Sequence, residues 1–122
     1  MLQLNSMNLG AKDPKTLANF YAQVFQKKPD MEEGDWLGFA VGPTFIGIGP
    51  HDKVTGPAKE PFRLMFNLET DDVKGEFARI KAISGAQVVA EPYKMGDQDF
   101  WLATFADPEG NYFQLMSPWN QQ

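Results

Sequence analysis

The side chains able to do chemistry in this 122-residue chain are few and mostly neutral. There is no cysteine, so no thiolate nucleophile, thiolate metal site or disulfide framework is available. His51 is the single histidine, beside Asp52 in a stretch rich in Gly, Pro, Lys and Asp. A histidine so placed reads as an exposed loop residue rather than a general acid or base. What remains are polar groups and rings at alternating positions. Ser6 and Asn8 alternate with Met7 and Leu9, Asn67 and Glu69 share a parity with Met65, and Tyr112, Gln114 and Met116 alternate with Phe113 and Leu115. Uncharged polar side chains on an inward strand face must hydrogen-bond to one another, to water or to a ligand. Glu69 allows three readings: an ion pair at a strand end, a contact to a cationic group, or a general base in a partly apolar cavity. Trp36 and Trp101, with Phe39, Phe100 and Tyr93, are either core residues or rings on which a planar molecule stacks.

The elements that must position these groups recur. Residues 36–48 begin Trp-Leu-Gly-Phe-Ala, residues 101–119 begin Trp-Leu-Ala-Thr-Phe-Ala, and each run passes through a Gly/Pro turn into a second apolar strand. Upstream of the first, alternation over residues 2–10 predicts a strand. Asp13-Pro14 then opens a helix, with Asp as N-cap and Pro at the first helical position. Leu17, Phe20, Tyr21, Val24 and Phe25 form its apolar stripe, and Lys27-Lys28-Pro29 stops it. Short strands are expected over residues 30–33, 36–41 and 44–48. The second half repeats the order. A strand over 62–69 leads to a helix start at Thr70-Asp71-Asp72, with Val73, Phe77, Ile80 and Ile83 as its stripe and Gly85 as its C-terminal cap. Strands over 86–91, 100–106 and 111–116 follow. The expected fold class is therefore α+β, as two tandem βαβββ modules whose curved mixed sheets surround a cleft. It is a single domain, with module one at 1–49, a linker at 50–61 and module two at 62–122.

Composition narrows the function classes. A content of 43% hydrophobic and 22% charged residues is ordinary for a globular chain. The net charge of −5 argues against nucleic acid, which demands a basic surface, and leans toward a neutral or cationic small molecule. The first residues lack the basic and apolar regions of a signal peptide, and no apolar run is long enough to span a bilayer. A cytoplasmic protein without membrane contact is expected. The runs Glu32-Glu33 and Asp97-Gln98-Asp99 read as edge charges that discourage aggregation. Trp119 follows the last strand and covers a sheet edge, a dimer contact or a cleft mouth.

Asp13 followed by Asn19-Phe20-Tyr21, the Thr70-Asp71-Asp72 helix start and the Asp107-Pro108-Glu109-Gly110-Asn111 turn before a strand together resemble the vicinal-oxygen-chelate superfamily. That group includes glyoxalase I, the bleomycin-resistance proteins and the extradiol dioxygenases. The resemblance covers nearly the whole chain and implies paired modules around a cleft, commonly in a homodimer. In metal-using members four side chains on the cleft hold the ion, and the matching positions here are Ser6, Gly47, Met65 and Gln114. A catalytic divalent ion needs about three imidazole or carboxylate donors, so neither a metal nor any other cofactor is expected. The resemblance also turns Asn67 and Glu69 toward the cleft. The implied function is metal-independent binding of a small organic ligand, of the bleomycin-resistance or drug-sequestering type. Its contacts would be Ser6, Asn8, Trp36, Met65, Asn67, Glu69, Trp101, Tyr112 and Gln114. One alternative is a cofactor-free isomerase, epimerase or lyase with Glu69 as general base. The other is a metal-dependent glyoxalase or dioxygenase whose ligands fall elsewhere in the alignment.

Overall fold

The computed structural model describes residues 1–96 and 98–118, so Asp97 and Trp119 lie outside the described residues. The chain divides into two compact units, Met1–Pro57 and Ala58–Gln122. In the first, β1 (Ser6–Gly10), α1 (Pro14–Phe25), β2 (Met31–Glu33), β3 (Trp36–Val41) and β4 (Thr44–Gly49) follow in order. The second runs through β5 (Phe66–Glu69), α2 (Val73–Lys81), β6 (Gln87–Lys94), β7 (Trp101–Ala106) and β8 (Tyr112–Met116). The sheets have orders β1-β4-β3-β2 and β5-β8-β7-β6. In each, the strand before the helix pairs in parallel with the last strand, and the other pairings are antiparallel. The expected strand, helix and three strands are thus present twice, as an α+β fold of two four-stranded mixed sheets.

Both helices start on an aspartate cap. Asp13 Oδ1 accepts the Thr16 amide at 3.3 Å and Oδ2 the Thr16 hydroxyl at 2.7 Å, with Pro14 in the first turn. Asp72 Oδ1 accepts the Gly75 amide at 2.9 Å. These bonds satisfy amides that have no partner inside the helix. One face of each helix then closes on one face of its sheet. Leu17, Phe20, Tyr21 and Val24 are buried over Leu37, Phe39, Ile46 and Ile48 in the first unit. In the second, Phe77 stacks on Phe105 with ring centroids 5.1 Å apart, and Phe105 on Phe113 at 5.7 Å. Each such fully buried side chain contributes about 1.5–3 kcal/mol, which fixes the helix-facing side of each sheet, and the helix leaves the other side uncovered.

Several boundaries differ from the sequence expectation, each for a local reason. β1 begins at Ser6 rather than residue 2 because its parallel partner runs out: Ser6 pairs with Phe45, and β4 starts only one residue earlier, at Thr44. Leu2 and Leu4 are exposed accordingly. The strand expected from residue 62 begins at Phe66. Pro61–Arg63 form a 3-10 turn instead, closed by the Arg63 amide on the Glu60 carbonyl at 2.9 Å and by an Arg63–Glu60 ion pair. Helix α2 stops at Lys81, and Ile83 lies beyond it in a tightened last turn where its amide reaches the Ile80 carbonyl at 2.9 Å. Helix α1 ends on Gln26 in the left-handed conformation (φ 58°). The Lys27 ammonium does not sit on the helix carbonyls. It donates to the Ala40 carbonyl at 2.8 Å and pairs with Asp30 at 2.7 Å. β6 runs to Lys94 with two register shifts along it. Among the described residues no helix is long and apolar enough to cross a membrane.

Candidate functional site on the open sheet faces

Strand parity decides which side chains the helices leave uncovered. In the first unit Leu37, Phe39, Ile46 and Ile48 face α1, so Ser6, Asn8, Trp36 and Phe45 share the opposite face. Gly38, Gly47 and Gly49 lie on that face too, and each is covered by a side chain. A Cβ on Gly47 would sit 2.7 Å from Asn8 Oδ1. One on Gly38 would run into the Phe45 ring, and one on Gly49 into the Trp36 indole. The atoms meeting Gly49 are the ring-fusion carbons Cδ2 and Cε2 together with Cε3, which can be approached only from the face of the indole. Trp36 therefore lies flat on β4 while remaining 40% exposed. Phe39, one of the candidate stacking rings, is instead wholly buried against Phe25.

The open face of the second unit is polar. Asn67, Gln114 and Thr104 form one row across β5, β8 and β7. Gln114 Nε2 donates to Thr104 Oγ1 at 3.1 Å, and Thr104 is buried at 3% exposure. Asn67 is exposed, and it stands at the same distance ahead of Asp72 as Asn8 does ahead of Asp13, so the two amides occupy equivalent places in the repeat. Neither side chain makes a hydrogen bond among the described residues, which leaves both free for water or a ligand. Glu69 is exposed at the end of β5 and paired in register with Met116. Tyr112 is half-buried at the other end of β8, edge-on to Phe62 at 4.7 Å. Met65 lies just before β5, half-buried.

Trp101 parts company with these residues. It shares parity with Ala103 and Phe105, whose side chains are buried beneath α2. The Lys74 ammonium of α2 lies 4.0 Å from the Trp101 ring centroid, and indole Nε1 donates to Asp99 at 2.8 Å. Asp99 thus anchors a ring, a role beyond edge charge. Asp71, Asp72, Val73, Lys74, Asp99, Trp101, Ser117 and Pro118 line a depression of about 440 Å³ on this helix side. The first unit therefore brings together Ser6, Asn8 and Trp36, and the second Met65, Asn67, Glu69, Tyr112 and Gln114, while Trp101 belongs to neither open face. Phe45, Gly38, Gly49 and Thr104 were not among the sequence candidates, and Gly47 entered only as a position matching a family metal ligand. The signal for the glycines was present in Gly47-Ile48-Gly49, where period-two glycine strips one strand face bare.

The donor set at the four family metal positions does not fit a divalent ion. Ser6 offers a neutral hydroxyl, Gly47 no side chain, Met65 a thioether, and Gln114 an amide already engaged with Thr104. Among the described residues no three His, Cys, Asp or Glu side chains converge as ligands.

Known proteins match this architecture. A family model described as a glyoxalase-like domain matches residues 6–116. Among solved structures, the chain is similar to a glyoxalase/bleomycin resistance protein/dioxygenase family enzyme from Burkholderia phytofirmans PsJN, with 21% identity over 95% of this chain and 98% of that one and a TM-score of 0.77. It is also similar to a glyoxalase-related enzyme from Fulvimarina pelagi, with 16% identity, 97% and 89% of the two chains and a TM-score of 0.78. A third similar structure is TioX from Micromonospora sp. ML1, with 16% identity, 94% and 98% coverage and a TM-score of 0.70. At these identities the likeness is one of fold. No curated protein matches the chain. With the model spanning both βαβββ units, the chain belongs to the glyoxalase-like domain family, within the vicinal-oxygen-chelate superfamily.

Proposed function

We propose that this protein binds a small neutral or cationic organic molecule on its open sheet faces, without a metal and without turnover, as a sequestering protein does. The observation that carries the reading is the chemistry of those faces. Two exposed amides, Asn8 and Asn67, make no side-chain hydrogen bond among the described residues, two rings lie on the first sheet, and Glu69 stands exposed on the second. No lysine or arginine occurs in β1, β2, β3, β4, β5, β7 or β8. Faces of this kind offer stacking and neutral hydrogen bonding and, unlike a basic surface, do not attract anions. Fold neighbours named as glyoxalase/bleomycin resistance proteins support the sequestering sense of the proposal. The chemistry of the donor set supports its metal independence.

The test is a thermal-shift screen against a broad library of aromatic and cationic compounds. A ligand at a hundred times its dissociation constant adds about 2.7 kcal/mol to the folded state, which raises the melting temperature measurably. Saturable binding with the compound recovered unchanged is the expected result. Chemical conversion of the bound compound, or no shift across the library, would overturn the proposal.

A further inference from the structure

Trp36 and Phe45 are each seated on a strand glycine. Each lies over a glycine of the neighbouring strand, Trp36 over Gly49 and Phe45 over Gly38, where any β-carbon would collide with the ring. A strand glycine costs backbone entropy and packs nothing of its own. Here it lets a ring drop onto the sheet. Because Gly49 meets the face of the indole, the opposite face is turned away from the sheet, and the residue stays 40% exposed. Glu33 stands directly opposite Trp36 in the β2–β3 register, so it shares the ring's face of the sheet. The strands of this sheet carry no cation to oppose it.

The geometry points to Gly49 and Gly38 as positioning residues that seat Trp36 and Phe45 as a stacking shelf for a flat aromatic cation. This rests on the small-molecule-binding reading above and deepens it by naming the ligand class and the sheet that receives its ring system. A flat cation gains from stacking on the indole, from the negative ring face and from the acidic Glu33 on the same sheet face together. A flat anion gains only the first and is repelled by Glu33. A β-carbon on Gly49 would lift the indole off the strand. The ring, as the end of a side chain, can swing aside without unfolding the sheet, so the shelf is lost while the fold is kept.

The experiment titrates proflavine, a flat aromatic cation, into the wild type, Gly49→Ala, Gly38→Ala and Trp36→Leu, with acridine-9-carboxylate as the flat anion. Gly56→Ala is the control, since a β-carbon there meets nothing within 4 Å. Wild type and Gly56→Ala are expected to bind proflavine alike and to prefer it over the anion. Gly49→Ala and Trp36→Leu are expected to weaken it by on the order of ten-fold, with far-UV circular dichroism unchanged. The double variant Gly49→Ala/Trp36→Leu, in which no indole remains to collide, is expected to bind no worse than Trp36→Leu alone. Independent, additive losses in that double variant would overturn the positioning role, as would undiminished binding in Gly49→Ala. Equal binding of the anion would overturn the ligand class. If the wild type binds neither flat probe yet gives saturable shifts with non-planar compounds, the shelf falls and the small-molecule reading stands. If nothing binds at all, both fall.

Discussion

Trp36 and Trp101 show how a single residue decides exposure. Each opens its copy of the repeat, yet one rests on the open face and the other faces α2. Phe39 and Phe105 are the matched anchors, both fully buried. From Trp36 to Phe39 the spacing is odd, and from Trp101 to Phe105 the inserted Ala-Thr pair in place of Gly makes it even. Alternation along a strand converts that difference into opposite faces. The information was in the chain, but it could be used only once the phenylalanines were known to point at the helices. Asp107 is legible in the opposite sense, through a motif with one structural purpose. It is buried at 3% exposure and its Oδ1 accepts the amides of Glu109 at 2.9 Å and Asn111 at 3.0 Å, with the Asn111 side-chain amide at 3.0 Å on Oδ2. Asp107→Ala strands these donors around the β7–β8 turn and is expected to destabilise the protein by on the order of 3 kcal/mol. Urea unfolding monitored by circular dichroism measures it, and a loss below about 1 kcal/mol would show that water replaces the carboxylate.

At the scale of elements, helix starts and the limits of β3, β4, β7 and β8 were readable to within a residue, and the starts of β1 and β5 were not. Asp13 and Asp72 cap their helices through atoms within three residues of themselves, so local sequence suffices. The starts of β1 and β5 depend on where a partner strand, far away in the chain, begins. The exit of α1 is a further element-level feature. Gln26 is the one non-glycine residue with positive φ among the described residues, in the left-handed cap position that glycine fills most easily. Gln26→Gly is expected to stabilise the protein by on the order of 1 kcal/mol. A raised midpoint in thermal and urea unfolding checks it, and an unchanged or lowered midpoint would mean that the glutamine side chain compensates for its backbone.

At the scale of the whole molecule, two carboxylates tie stability to pH. The hydroxyl and amide of Thr16 hold Asp13 below the ordinary carboxylate range. The Lys27 ammonium, followed by the Ala40 amide, does the same for Asp30. A carboxylate depressed in the folded state binds fewer protons there than in the unfolded chain, so stability rises with pH through this region. The contribution is present above the ordinary carboxylate value and is lost as pH falls through the depressed one. Unfolding midpoints measured from neutral pH into the acid range are expected to fall, and the double variant Asp13→Asn/Asp30→Asn to fall less steeply. An identical acid slope in that variant would place the linkage in other groups.

The chain by itself determined what depends on local periodicity and near neighbours: two amphipathic helices with their caps and the doubled order of strand, helix and three strands. Tertiary structure alone decided which strand face carries Trp36 and which carries Trp101. That choice set Trp36 flat on Gly49, placed Trp101 beneath Lys74 and joined Gln114 to Thr104. The physical reason is that alternation assigns residues to two sides of a strand without naming either. Only the burial of Leu37, Phe39, Phe105 and Phe113 against their helices says which side is covered and which is open.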